Sequence, residues 1–396
     1  MAGRLVGLSA AALLATSPSF LLQVMSPMSD VPATGWWSLA LVLMLLGSRG
    51  AAFAAGLSAG FAILTRPNLV PLAVIPGLFL VWSAVRERTL TGRAAQRVWL
   101  FAAGTLPFCL AVASLNTFWY GAPLSNGYAP LDRLYDVKNV WLNLARYPRW
   151  LIDAQTPVVL LMFVAPFLLP RRADGDIGDA PRRVAVAWLL FIIAVFGCHV
   201  LLTPFDAWWY LRYLLPAFPA MYVLTSVAIL SISTRLMRPL RDIATIVVIV
   251  LLAARGLRYA YDNLVFDFQA SQKKFVSVGE YVARRLPQHA IVFAHMHSGS
   301  IRYYSGRTTV LWSAIPETEL GVIVEQFRRL GLHPYLVIER GEKVDFRQQF
   351  QHGSDLAALD WPPIAQLHDV PAVEIYDLVD RQPAANGRHD STEIID

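Results

Sequence analysis

Charge is scarce in this chain. Asp, Glu, Lys and Arg make up 16% of its 396 residues, against roughly a quarter in an average soluble chain. The shortage is uneven: apolar runs fill Leu5 to Leu257, and charge collects between them and after Asp262. That distribution excludes an ordinary soluble domain and points to several bilayer spans followed by a water-soluble tail. Cysteine is scarcer still. The two present, Cys109 and Cys198, both lie inside apolar runs, so no disulfide framework is implied and the cysteine-free tail must be held by a packed core. Walker A, GxGxxG, HExxH and CxxC signatures are absent, which weakens the case for nucleotide-driven or zinc chemistry. The formal net charge of +6 does not imply a nucleic-acid partner, because the arginines sit in short loops between apolar runs and not on one solvated surface.

What is present in abundance is apolar sequence. Nine membrane segments are expected by length and apolarity: Leu5–Val24 with Pro18 as a kink, Pro32–Leu46, Ala51–Thr65, Leu69–Val85, Val98–Phe118, Pro157–Leu169, Val184–Leu202, Leu214–Ser233 and Ile243–Leu257. Arg4 followed by Leu5–Ala15 also has the form of a signal peptide, but apolar character continues through Val24 and a small-residue cleavage site is poor, which favours a first helix. Arg86, Arg88, Arg93 and Arg97, then Arg171, Arg172, Arg182 and Arg183, then Arg235, Arg238 and Arg241 fall on one side, together with Arg4 and Arg49. That side reads as cytoplasmic. The opposite, extracytoplasmic face receives Met25–Val31, Thr65–Asn68, the long loop Trp119–Thr156 and Thr203–Tyr213, as well as the tail. The fold class read from these features is a polytopic α-helical membrane protein with a small C-terminal extracytoplasmic α/β domain. Its expected domains are a transmembrane domain over residues 1–262, a soluble α/β domain over 263–380 and a disordered tail over 381–396.

In the tail, Phe275, Val278, Val282 and Leu286 make a helical stripe, and Glu317–Leu330 is amphipathic and ended by Gly331. Ala290–Ala294, Thr308–Trp312, Tyr335–Ile338 and Val373–Leu378 read as strands. Glu280, Glu339 and Asp345 read as surface positions. The acidic stretch between Arg172 and Arg183 has a calcium-loop flavour but lacks the terminal Glu, and reads as a solvated turn.

The outer loops hold the charges that composition does not explain. Arg66, in Leu64-Thr65-Arg66-Pro67-Asn68, and Arg212, in Tyr210-Leu211-Arg212-Tyr213-Leu214-Leu215-Pro216, both break the positive-inside preference. A guanidinium at such a depth needs a partner, and phosphate matches its fork. The alternative is snorkelling to outer headgroups. Asp30, in Ser29-Asp30-Val31-Pro32, reads equally as a helix cap or as an active-site carboxylate. Asp206, Tyr210 and Tyr213 crowd the last loop, where aromatics could stack on a sugar or form an interfacial belt. Asp132, Arg133, Asp136 and Lys138 read as a solvated face, and His199 as a satisfied packing residue.

These motifs together resemble the GT-C glycosyltransferase superfamily, in its protein mannosyltransferase and aminoarabinose transferase branch, over roughly Leu5–Pro219. The Ile301–Arg307 run is similar to C-terminal domains of bacterial members. The resemblance implies transfer of a sugar from a polyprenyl-phosphate donor to a glycan, lipid or protein acceptor on the extracytoplasmic face of a bacterial inner membrane. It implies Asp30 as the catalytic carboxylate, Arg66 and Arg212 at the donor phosphate, and Asp206, Tyr210 and Tyr213 at the substrate. A divalent cation is left open, and no metal ligands are assigned. The resemblance aligns Leu5 with about the family's third span, so the N-terminal spans and first acidic loop are expected to be missing, and Asp30 matches the acid of the second outer loop. A transporter or flippase of lipid-linked sugar, and a non-catalytic membrane scaffold, are the alternative functions.

Overall fold

A computed structural model describes residues 3–26, 28–86, 92–125, 131–169, 180–235, 237–367, 372–381 and 393–395. The acidic turn between Arg172 and Arg183 lies mostly outside them. The chain divides into two compact units, Met1–Phe266 and Asp267–Asp396.

The first unit is helical. Among the described residues, four helices are long and apolar enough to cross a bilayer: Ala95–Tyr120, Pro181–Val200, Trp208–Ile232 and Arg238–Asp262. A fifth span is formed if Arg4–Ala15 and Pro18–Met25, bent by 61° where Pro18 interrupts the helix, are taken together. Asp30–Leu46, Arg49–Thr65 and Pro67–Ser83 are apolar but shorter. The expected segment Pro157–Leu169 is not one helix. It is a 3-10 stretch, Pro157–Phe163, followed by a single turn, Ala165–Leu168, because Pro166 removes a backbone donor from the interior of what would be a continuous ladder. Trp208–Ile232 sits at the centre, with 72% of its apolar window buried, whereas Ala95–Tyr120 and Arg238–Asp262, at 22% each, present Leu106, Leu110, Val250 and Leu251 outward. Apolar side chains exposed on the rim of a helical unit are what lipid contact requires.

Glycine lets two of these helices touch. A Cβ on Gly56 would collide with the Phe101 carbonyl, and one on Gly104 would lie 2.7 Å from the Phe53 carbonyl. Small residues at such crossings allow backbones to approach where burial supplies no drive between helices. Gly56→Val is therefore expected to force Arg49–Thr65 away from its neighbour at a cost of about 1–3 kcal/mol. Thermal unfolding in nanodiscs checks this, with Gly35→Ala, which meets open space, as the silent control.

The second unit is a three-layer α/β domain. Its strands are β1 Ala290–Ala294, β2 Thr308–Leu311, β3 His333–Glu339, β4 Ala365–Leu367, β5 Val373–Asp377 and β6 Glu393–Ile395. Their order across the sheet is β2-β1-β3-β5-β4-β6. β1 runs parallel to β2 and β3, β5 is antiparallel to β3 and β4, and β6 is parallel to β4. β1 and β5 are buried along their whole length, the mark of a sheet covered on both faces. One face packs Ile291, Phe293 and Leu336 against Leu320, Phe346 and Phe350. The other packs Val292 and Val337 against Val278, Val282 and Ile301. The helical stripe expected from Phe275 to Leu286 belongs to a longer helix, Phe268–Arg285.

Two expectations are corrected. Glu339 is not a surface residue. It is 7% exposed, and its carboxylate accepts from Lys274 at 2.6 Å and meets His297 Nε2 at 3.1 Å; a buried acid persists because a cation accompanies it. Glu280 and Asp345 are exposed as expected. The terminus expected to be disordered contributes β6, through backbone pairing of Glu393–Ile395 with β4; residues 382–392 lie outside the described residues.

Candidate active site

Arg66 is placed by the end of its helix. Arg49–Thr65 stops there, since Pro67 cannot continue the ladder, and Arg66 turns to extended backbone with φ −141° and ψ 92°. Asp30 begins the helix Asp30–Leu43, where the positive end of the helix dipole favours a carboxylate. Its side chain is not a cap: Oδ1 forms an ion pair with Arg66 Nη1. Asp30 is 3% exposed and Arg66 9%, so two residues 36 positions apart neutralise each other inside the protein.

Tyr213 organises the rest. The Arg66 guanidinium lies 5.5 Å from its ring centroid and that of Arg212 lies 5.2 Å away, within the range of cation–π attraction. Arg212 also lies 5.8 Å from the Tyr210 ring, and its Nη1 reaches Met28 Sδ at 2.7 Å. Among the described residues no carboxylate pairs with Arg212, and its buried Nε has no hydrogen-bond partner. One aromatic ring is thus shared by two guanidinium groups, of which one has a counter-ion. Such an arrangement holds a surplus positive charge and is suited to an anion.

The aromatics are stacked. Tyr210 lies on Phe205 with centroids 4.1 Å apart and planes 9° apart, and Tyr213 lies on His199 at 5.3 Å and 14°. The segment that carries Arg212 therefore sets two stacked aromatic pairs beside the arginines. His199 is fully buried. Its Nδ1 is 2.9 Å from the Val195 carbonyl, which can only accept, so the proton sits on Nδ1 and Nε2 accepts from the Asn68 amide at 3.3 Å. A neutral, doubly bonded imidazole is a packing and positioning group, in keeping with the reading of its sequence context.

Of the six residues read from the sequence, Asp30, Arg66, Tyr210, Arg212 and Tyr213 converge. Asp206 points elsewhere. Its carboxylate is largely exposed and pairs with Arg146 Nη2 at 3.3 Å, while Arg146 Nη1 donates to the Phe205 carbonyl at 3.0 Å. Arg146 and Asn143 were not singled out by the sequence reading. Asn143 is 2% exposed and donates to the Val200 and Leu202 carbonyls at 3.0 and 2.7 Å, closing the end of the helix Ala180–Val200. Asn139, at one helical turn's distance, donates to the Leu201 carbonyl at 3.2 Å. A signal existed: Asn139, Asn143 and Arg146 are spaced four and three apart, one polar stripe on the helix Asn139–Gln155. Asp136 and Lys138 form an exposed pair, and the lysine's hydrogen bonds hold the Asp136 carboxyl below its ordinary range.

Metal ligation has little support here. Among the described residues the one cluster of three potential ligands is His333, Asp377 and Asp380, in the second unit. There Asp377 is already engaged by His333 Nε2 at 2.8 Å and by the Val379 and Asp380 backbone donors, so no metal is assigned.

No family model and no curated protein matches the chain. Solved structures do. ArnT from Cupriavidus metallidurans bound to undecaprenyl phosphate superposes with a TM-score of 0.53 at 14% identity, over 96% of this chain and 84% of that one. The same protein in its apo state superposes with a TM-score of 0.50 at 14% identity and the same coverage. The chain therefore has the fold of ArnT, with membrane-length apolar helices and a small C-terminal sheet domain.

Proposed function

We propose that the protein is a membrane glycosyltransferase that takes a sugar from a polyprenyl-phosphate donor and passes it to a glycan, lipid or protein acceptor on the extracytoplasmic face of a bacterial inner membrane. The observation that carries this reading is the pair of guanidinium groups on Tyr213, only one of them neutralised by a carboxylate. Undecaprenyl phosphate bound to a protein of the same fold supports it.

In this reading the phosphate enters beside Arg212, with Arg66 held in place by Asp30 as the second positive charge. The acceptor oxygen attacks the anomeric carbon, the bond from that carbon to the phosphate oxygen breaks, and the electron pair leaves on the phosphate. Negative charge grows on that oxygen in the transition state, which is where fixed guanidinium groups lower the barrier. The acceptor proton goes to a carboxylate. Asp30, the acid that the resemblance makes catalytic, is through its buried ion pair first the residue that fixes Arg66; from there it orients the acceptor or the sugar, and it takes the proton itself once substrate entry draws Arg66 away. The stacked faces of Tyr210 and Tyr213 are suited to the sugar, and Asp206, paired with Arg146, to shaping the loop that carries them.

Arg66→Ala with Arg212→Ala is expected to abolish transfer from a labelled polyprenyl-phosphate sugar, a loss of at least about a hundredfold if each charged contact is worth roughly 1.5–3 kcal/mol. Unchanged turnover in the double variant ends the assignment, and lipid-linked sugar flux across proteoliposomes without covalent transfer supports the transporter instead.

A further inference from the structure

Two helix interruptions of the first unit meet at Gln155. One is at Thr16, where Arg4–Ala15 ends and the chain bends by 61° into Pro18–Met25. The other is at Thr156, where Asn139–Gln155 ends with φ 70° and ψ 157°. Positive φ is an outlier for a β-branched residue and persists only where the surroundings demand it. Gln155 ties the two breaks together: its Nε2 donates to Ser17 Oγ at 2.9 Å, and its Oε1 accepts from the Tyr222 hydroxyl at 2.6 Å.

Beside this tie lies a cavity of about 20 Å³ lined by Thr16, Gln155, Thr156, Tyr222, Thr225 and Gly256, with apolar neighbours closing it. Gly256 keeps it open from one side, since a Cβ there would stand 2.6 Å from the Thr16 carbonyl. Thr156 Oγ1 is buried and has no partner among the described residues. A polar cavity holds a water when it offers about 10–15 Å³ or more and two to four hydrogen-bonding groups, and both conditions are met. A lipid chain is too large. A cation is disfavoured because Arg255, adjacent to Gly256, already reaches the Asp153 carbonyl at 3.4 Å and brings its own charge.

We infer that this cavity is a hydration site, in which one ordered water accepts from the Thr156 hydroxyl and bridges it to Tyr222 or Thr16. The water locks two breaks whose continuations matter elsewhere: Pro18–Met25 leads to Met28 and Asp30, and Asn139–Gln155 carries Asn143 and Arg146. It is a positioning joint and takes no part in chemistry.

Thr156→Val keeps the β-branch and the backbone strain but removes the hydroxyl. If a water bridges Thr156, the full-length variant in nanodiscs should unfold about 2–4 °C below wild type, and Thr156→Ser should stay with wild type. If the hydroxyl is buried dry, the valine should raise the midpoint, because an unsatisfied polar group has been removed. A rise or an unchanged midpoint overturns the inference. Should the valine variant fail to fold, a high-resolution map of the wild-type protein decides: a single peak within hydrogen-bond distance of Thr156 Oγ1 with water-like contacts is expected. A dry cavity, or an ion ringed by five or six oxygens, contradicts it.

Discussion

Asp30→Ala should destabilise the helical unit by about 3–5 kcal/mol, the usual cost of leaving one member of a buried ion pair uncompensated. Arg66 is 9% exposed and has no second carboxylate among the described residues, so its charge cannot be handed to a neighbour at its depth. Arg212, beside the same ring, adds repulsion. Adding Arg66→Leu to Asp30→Ala should recover most of the loss, since replacing both ions by apolar groups is often neutral. Thermal unfolding of the two single variants and the double variant in nanodiscs closes the cycle. Equal unfolding midpoints for Asp30→Ala and wild type would show that the pair does not hold these two segments together.

Lys274→Met should weaken the second unit by a comparable amount, about 3–5 kcal/mol. Lys274, Glu339 and His297 are all at least nine-tenths buried. They join the helix Phe268–Arg285, the end of β3 and the loop after β1. Glu342 reinforces the same corner by accepting from the backbone donors of Met296 and Glu339 at 3.1 and 2.9 Å. Burial alone would raise the Glu339 carboxyl, but hydrogen bonds from His297 and Lys274 outweigh it and hold the group below its ordinary value. A carboxyl depressed in the folded state contributes stability that is complete above its unfolded value, near 4.3, and is lost as pH falls through the folded value. Hydrogen exchange of the β1 and β3 peptides should therefore accelerate with acid below about pH 4.3 in the wild type. It should be fast and less pH-dependent in Glu339→Gln, where the titrating group is gone. An identical acid profile in the two proteins would sink this reading.

How much of this was written in the sequence differs by feature. Arg66 and Arg212 were visible because each departs from the positive-inside pattern laid out by the other basic loops of the sequence, and the structure brings both to Tyr213. That Asp30 would pair with Arg66 was not visible, since nothing in either motif encodes contact over 36 residues. The attachment of Asp206 to Arg146 on another helix was hidden for the same reason, behind its proximity in sequence to Tyr210 and Arg212. In the sheet domain, β1 and β3 were legible as apolar β-branched runs, while Ser298–Ser305, at 8 residues, and β4, at 3, are too short to show a period. Glu339 looked like a surface acid because its cation lies on another element, the helix carrying Lys274. Pro157–Leu169 read as one span on apolarity, which does not show that the segment is broken into a 3-10 stretch and a single turn.

The measurement that bears most directly on the central claim is equilibrium binding of undecaprenyl phosphate to the protein in nanodiscs, followed by native mass spectrometry, for wild type and Arg212→Ala. Arg212 has no carboxylate to leave stranded, so the alanine variant should unfold at the wild-type midpoint while its affinity falls about tenfold to a hundredfold, the worth of one charged contact to phosphate. An affinity equal to that of wild type would contradict a phosphate at the two guanidinium groups beside Tyr213.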